Sequence, residues 1–419
     1  MTSLGIPYDR LWMASTMSNL GDGVVLLGAP LVAIQATRDP SLVAGVQVAI
    51  TLPALLLTLQ VGALADRRGR RGLMIAASLL RAGVLLGMGV AAWMDALPLP
   101  LLYTALLVFG VGEVLFDTTS HSLIPDLVGH ADLGVANGRL IGAQTVMNNF
   151  VGAPLAGVLV GVATASVFLG PAVIYGACAL MLTRLPERYQ PPVRPPARMR
   201  SDIAEGLRHL RDQPALRSIA GIVGISNLAN MAYSSVFVLF VVGEASPMGL
   251  PEVAYGALAA MLALGSVAGS LVAGRIEARF GPRRTLLGGL VAAATLMFVP
   301  VLTARVAAVA AVAVGLGATS IVVSVVSVSS RQRIIPSALL GRVNAAFRLV
   351  ALGSLPIGAL LGGTVASAFG LRALFVVAVA LQLIGIMVLH RPITDAALQG
   401  HAAAVRPATP PARRGCPTR

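Results

Sequence analysis

Apolar residues run along this chain in blocks whose width matches a bilayer. Windows free of Asp, Glu and Arg fall at 40–65, 140–183, 218–243, 253–274, 285–304, 306–330, 349–371 and 373–390. A spanning helix needs about 20 mostly apolar residues, so 140–183 holds two helices, with a turn over 161–166. Three further runs carry isolated charges: 9–33 with Asp22, 72–94 with Arg81, and 99–121 with Glu113 and Asp117. The pattern predicts an all-α membrane protein of twelve transmembrane helices. Eleven or thirteen would put the termini on opposite sides of the bilayer. The expected organisation is a six-helix bundle over 1–183, a linker over 184–215, a second six-helix bundle over 216–391 and a disordered tail over 392–419. Within the linker, Pro186, Pro191, Pro192, Pro195 and Pro196 favour an extended piece. Mixed charges at helical spacing from Ser201 to Arg211 then predict a short surface helix.

Composition supports the membrane reading. Of 419 residues, 56% are apolar and 11% charged, with mean hydropathy +0.84. A soluble domain carries roughly 25% charged residues. All 31 basic residues are arginines and the formal net charge is +14. The arginines are not gathered with aromatics on one soluble module, which argues against a nucleic-acid partner. They collect instead in the loops after the second, sixth, eighth and tenth spans and in the tail. The opposite loops hold only Arg38, Arg305 and Arg372. By the positive-inside rule both termini and the central linker are cytoplasmic. Lysine-free, Ala/Arg-rich usage fits a GC-rich bacterial genome, hence a multi-pass protein of the bacterial cytoplasmic membrane. The short N-terminus runs directly into the first apolar segment without a small-residue cleavage site, so no cleavable leader is expected. Cys178 and Cys416 offer neither a disulfide framework nor metal-ligand spacing. The five histidines fall in predicted cytoplasmic loops or the tail, so no metal is expected.

The two halves echo each other. Gly62, Arg67, Gly69 and Arg71 precede Gly274, Arg279, Gly281 and Arg283 by 212 positions. Gly110 and Gly112 recur at Gly315 and Gly317, Ile124-Pro125 at Ile335-Pro336, Asn137 at Asn344, and Gly152 and Gly157 at Gly358 and Gly363. Six spans repeated in one orientation form the parallel duplication of a large transporter class.

The segment Gly62-Ala-Leu-Ala-Asp66-Arg67-Arg68-Gly69-Arg70-Arg71 closely resembles the signature loop of the major facilitator superfamily. Leu20-Gly21-Asp22-Gly23 resembles its drug:proton antiporters of the macrolide- and siderophore-exporter type. So do Glu113 and Asp117 leading into Leu123-Ile-Pro125-Asp126, and Arg331-Gln332-Arg333 to Asn344. The antiporter motif of that family, Gly-Pro-x-x-Gly, is displaced by one position here, as Gly152-Ala153-Pro154-Leu155-Ala156-Gly157, and Ala278 stands where Asp66 would repeat. The resemblance implies proton-coupled export by two bundles rocking about a midplane site, with no cofactor beyond the proton gradient. It also implies a monomer, and a gate at Gly62, Asp66, Arg67, Gly69, Arg70 and Asp117. Asp66→Asn is then expected nearly to abolish transport while leaving expression intact.

Buried ionisable groups persist in membranes when paired, wetted or functional. Asp22, near the middle of the first span, is a candidate proton-coupling carboxylate, with Glu113 as its possible partner. It could equally make a helix–helix hydrogen bond or face a wet cavity without coupling. At about 1.5 Å per residue, Glu113 lies roughly 12 Å and Asp117 roughly 6 Å inside their helix end, and Arg81 roughly 15 Å inside its own. These depths predict an Arg81–Glu113 ion pair and leave Asp117 for Arg70 or Arg67. In the second half only Arg348 is expected within a span. Ion coupling is therefore assigned to the first half and mainly apolar substrate contact to the second. Candidate cavity groups are Asn148, Asn149, Asn227, Asn230 and Tyr233, with Gln47, Ser324 and Ser327 behind them. Taken singly, each amide reads more readily as an interhelical hydrogen bond.

The expected function is export of amphipathic small organic molecules such as drugs or natural products. The alternatives are an uptake symporter on the same fold and a transport-inactive sensor. No catalytic grouping suggests an enzyme, and no Walker-type phosphate loop suggests ATP use.

Overall fold

A computed structural model describes residues 4–65, 68–129, 132–185, 199–336 and 339–399. Asp66, Arg67, His130, the proline-rich piece 186–198 and residues 400–419, with His401 and Cys416, lie outside the described residues. Helices dominate the rest: α1 (Ile6–Ala36), α2 (Pro40–Ala65), α3 (Arg70–Trp93), α4 (Leu99–Leu127), α5 (Leu133–Thr145), α6 (Ala153–Val162) and α7 (Ser166–Leu182). They continue with α8 (Met199–Asp212), α9 (Pro214–Val241), α10 (Glu252–Leu302), α11 (Val306–Ile334), α12 (Leu340–Phe369), α13 (Leu371–Leu389) and α14 (Asp395–Gln399). Among the described residues no strand forms beyond an isolated bridge between Val242 and Leu250. In hydrocarbon each backbone N–H and C=O must find its partner within the chain, and a helix does this locally. Ten helical stretches are long and apolar enough to cross a membrane, and α7 is a shorter apolar helix. Pro30, Pro53, Pro171 and Pro356 sit inside helices, where neighbouring helices can compensate the missing donors.

Two details differ from the sequence pattern. A loop is expected between 274 and 285, but α10 runs on through it, interrupted only at Gly281 (φ 79, ψ 161). That left-handed backbone is one glycine adopts without strain, so one residue makes the turn. Between α5 and α6 the backbone widens into a π-helical turn, Val146–Gly152, which carries Asn148 and Asn149.

The start of the tail, 392–399, is also corrected. It was expected to be disordered from 392, yet Ile393 and Leu398 are buried against Leu286 and Ile219. Asp395 Oδ1 accepts a hydrogen bond from the Arg283 N–H at 3.0 Å. Two apolar side chains and one carboxylate dock α14 beside the Gly281 turn. The surface helix appears as α8, held to α12 by Glu205 and Arg342 at 2.8 Å.

In the first half α1 packs against α7, α6 and the π-helical turn, and α3 against α4 and α7. In the second, α9 packs against α12 and α13, and α10 against α11. The repeats meet along α2–α12 and α6–α10. At the end bearing the α1–α2 connection the contact is tight. Arg38 Nη1 donates to the Val242 carbonyl at 2.7 Å, and Ser41 Oγ donates to the Gly363 carbonyl at 3.1 Å and stands 2.9 Å from Ser367 Oγ.

Candidate functional site

Arg81 is the largest fully buried side chain of the described residues, at 0% exposure. Its Nη1 donates to Asp22 Oδ1 at 2.8 Å and its Nη2 to Ser18 Oγ at 2.8 Å. The Tyr175 hydroxyl donates to the same Asp22 oxygen at 2.7 Å. Ser18 Oγ stands 3.4 Å from Asp22 Oδ2. Three helices thus converge on one carboxylate that is itself 6% exposed: α1 brings Asp22 and Ser18, α3 brings Arg81 and α7 brings Tyr175.

Aromatic faces complete the enclosure. The guanidinium carbon lies 4.2 Å from the Tyr175 ring centroid, 5.0 Å from Phe116 and 5.7 Å from Phe109. Cation–π contacts in a desolvated setting contribute about 2 kcal/mol or more. Two glycines make the room. A Cβ at Gly21 would stand 2.8 Å from the Tyr175 ring, and one at Gly112 would stand 2.6 Å from Arg81 Cγ. Desolvating each ion costs several kcal/mol. The pair and its hydrogen bonds offset that cost only while both partners stay charged or both change together.

The expected Arg81–Glu113 pair is not what forms. Depth counted along a helix gives height but not direction around the axis, and the Arg81 side chain turns towards α1 and α7. Glu113 and Asp117 lie half-buried one turn apart on α4, with no basic residue within ion-pair distance among the described residues. Arg70, expected to reach Asp117, pairs instead with Asp126 at the end of α4. Of the remaining loop residues, Gly62 lies near the end of α2 with open space around it, and Gly69 precedes α3.

The displaced antiporter segment lies at two helix crossings. A Cβ at Gly152 would come within 2.9 Å of the Gly23 backbone of α1, and one at Gly157 within 2.9 Å of the Glu252 carbonyl of α10. Pro154 opens α6 and packs beside Gly256. Asn148 presses its backbone on Gly23 and leaves its buried Oδ1 without a partner, while Asn149 is exposed.

The second half holds a cavity of about 330 Å³ among α9, α10, α11, α12 and α13. Asn227, Asn230, Ser324 and Ser327 line it, as does Arg331. Tyr233 stays out of that lining, stacked on Phe237 and tilted against Phe375 at ring-centroid distances of 5.0 and 4.5 Å. Arg331, just past the apolar window 306–330, brings a charge to this cavity that the sequence reading did not assign to it. It lies in the last turn of α11, with its guanidinium carbon 3.6 Å from the Phe347 ring centroid. Arg348 lines a smaller cavity of about 280 Å³ with Ala54, Leu55 and Thr58 of α2. Sequence reasoning missed Tyr175, Ser18, Arg331 and Gln382. The one signal for Tyr175 was the placing of Gly21, a small residue that leaves room for a large one.

Comparison with known proteins agrees with this architecture. The transmembrane secretion effector family matches residues 7–409. The multidrug efflux pump Tap of Mycobacterium tuberculosis, strain H37Rv, is 25% identical over 408 residues, covering 92% of this chain and 93% of that pump. The Mycobacterium bovis protein of the same name matches equally. Among solved structures, nucleoside transporter NupG superposes with a TM-score of 0.72 at 12% identity, over 93% of this chain and 99% of NupG. A bacterial homologue of the lysosomal transporter Spinster, inward-facing and unoccupied, gives 0.73 at 14% identity over 94% and 98%. A bacterial homologue of ferroportin, also inward-facing, gives 0.69 at 16% over 93% and 100%. The chain is a multi-pass membrane transporter and belongs to the transmembrane secretion effector family of the major facilitator superfamily.

Proposed function

We propose that this protein is a proton-driven antiporter that exports amphipathic organic molecules from the bacterial cytoplasm. It would use twelve spans in two rocking six-helix bundles, 1–183 and 216–391. The count takes the ten long apolar stretches, divides α10 at Gly281 and adds α7. Arginine-rich connections at the end bearing the N-terminus favour that end as cytoplasmic. The tight contacts of Arg38 and Ser41 then lie at the outer end, which fits an inward-open state.

The observation that carries the reading is the Asp22–Arg81–Tyr175 cluster. A proton on Asp22 cancels half of a buried ion pair that ties α1 to α3 and α7. Protonation therefore changes how α1 packs, and α1 also touches the π-helical turn and α6. That is the link a coupled transporter needs between proton binding and helix movement. Glu113 is a second proton acceptor on the adjoining helix. Gly62, Asp66, Arg67, Gly69, Arg70 and Asp117 would act at the cytoplasmic gate. Asn227 and Asn230 would contact substrate. The relationship to a multidrug efflux pump favours export over uptake.

The test is dye and antibiotic accumulation in a pump-deficient bacterium expressing the protein, with Asp22→Asn and an uncoupler as controls. The wild type should lower accumulation, and both controls should restore it. A rise in accumulation with the wild type would reverse the direction to uptake.

A further inference from the structure

By sequence register, residues lining the cavity of the second half correspond to those of the buried ion cluster in the first. Ser18-Asn19-Leu20 of α1 recurs as Ser226-Asn227-Leu228 of α9, 208 positions later, which sets Asn230 against Asp22. The spacing of Gly69 to Gly281, 212 positions, sets Ala293 against Arg81. Phe168 and Phe375, 207 positions apart, set Gln382 against Tyr175. All four counterparts, Ser226, Asn230, Ala293 and Gln382, line the cavity. Where the first repeat packs a guanidinium and a phenol, the second carries a methyl and an amide, and the volume stays open. Its acid has become an amide too, so the vacancy is not an incomplete ion pair.

The remaining lining gives the space a chemical preference. No carboxylate lines it, and Arg331 supplies one positive charge. Arg331 has no carboxylate within ion-pair distance among the described residues. Its Nε donates to the Ser327 carbonyl at 3.3 Å and its guanidinium carbon lies over the Phe347 ring, 3.6 Å from the centroid, which leaves its terminal nitrogens uncommitted. A planar fork of this kind matches a carboxylate with two parallel hydrogen bonds. Ser226 Oγ is buried without a partner and adds a donor. The volume suits a compact head group, at the small end of ligand sites.

We propose that this cavity binds the carboxylate of an aromatic or aliphatic organic anion through Arg331, with Ser226, Asn230 and Gln382 hydrogen-bonding around it. That such an anion is also the exported substrate rests on the export reading above; the binding does not. The test uses protein purified in detergent and three isosteres of differing charge: 1-naphthoate, 1-naphthamide and 1-naphthylmethylamine. Each is titrated by calorimetry. Naphthoate should bind, and the neutral and cationic analogues should bind at least tenfold more weakly. Arg331→Gln should weaken naphthoate roughly 10- to 100-fold, the scale of a lost hydrogen-bonded charge. Ala293→Arg combined with Asn230→Asp rebuilds the first-half pair inside the cavity and should abolish naphthoate binding while leaving a folded protein. Equal binding of all three probes would overturn the proposal. So would wild-type affinity in Arg331→Gln or in the rebuilt variant, or no naphthoate binding at all. None of these readouts depends on transport, so a failed export assay in cells leaves them intact.

Discussion

Asp22 and Arg81, 59 residues apart in sequence, meet at 2.8 Å with the arginine wholly removed from solvent. An ion pair in this setting contributes little net stability, but breaking it leaves an uncompensated buried charge. Removing one partner of such a pair costs about 3–5 kcal/mol, whereas removing both costs much less. Asp22→Ala and Arg81→Gln should each lower the thermal midpoint of the detergent-purified protein strongly. The double variant should sit closer to the wild type than the sum of the two. Additive losses in that cycle would mean that the two side chains do not depend on each other.

The second expectation concerns the space Arg81 needs. A methyl group at Gly112 would fall 2.6 Å from Arg81 Cγ and 3.2 Å from the Ala77 carbonyl oxygen. Overpacking a filled interior costs typically about 1–3 kcal/mol. Gly112→Ala should therefore destabilise the protein by about that amount. Gly83→Ala, on the same helix as Arg81 but with open space around it, should be nearly silent. Equal melting of the two variants would show that Gly112 does not make room for Arg81.

These two expectations mark the limit of what the chain declares by itself. The span windows were legible because hydrocarbon excludes charge, a property of each segment alone. The turn over 161–166 appears as the gap between Val162 and Ser166 for the same reason. The partner of Arg81 was not legible. Glu113 matches it in depth, but the three helices that enclose Arg81 are neighbours only through tertiary packing. Tyr175 reads as one more aromatic in an apolar run until α7 is seen against α1. Asp395 belongs to the same class: an acid in an arginine-rich tail gives no sign that it will bond a backbone N–H 112 residues away.

Asp395 yields the third expectation. Its carboxylate accepts from the Arg283 N–H at the start of the helical segment after Gly281, where helix donors lack partners. Losing such a cap costs about 0.5–2 kcal/mol. Asp395→Ala should lower the thermal midpoint modestly, and Asp395→Asn, which keeps an acceptor, should recover most of it. Leu398→Ala, which opens the buried contact of α14, should have an effect of similar sign. Were Asp395→Asn as damaging as alanine, charge rather than hydrogen bonding would hold α14 in place.

The last expectation concerns the seam between the repeats. Gly157 of α6 and Gly256 of α10 face each other's helices. A Cβ on Gly157 would lie 2.9 Å from the Glu252 carbonyl, and one on Gly256 would lie 2.9 Å from the Ala153 carbonyl and from Pro154 Cα. These atoms are backbone, so neither position can yield by turning a side chain. A leucine at Gly256 should wedge α6 from α10 and hold open the end where Arg38 meets Val242. The readout is a cysteine placed at Ser41, in a background without Cys178 and Cys416, reacted with a membrane-impermeant maleimide in whole cells. Ser41 hydrogen-bonds to the Gly363 carbonyl and Ser367 in the closed arrangement, so its replacement should label slowly. Adding Gly256→Leu should raise that labelling severalfold and reduce transport, because the wedged state cannot close to complete a cycle. Unchanged labelling with normal transport would mean that α6 and α10 do not control the opening of this end.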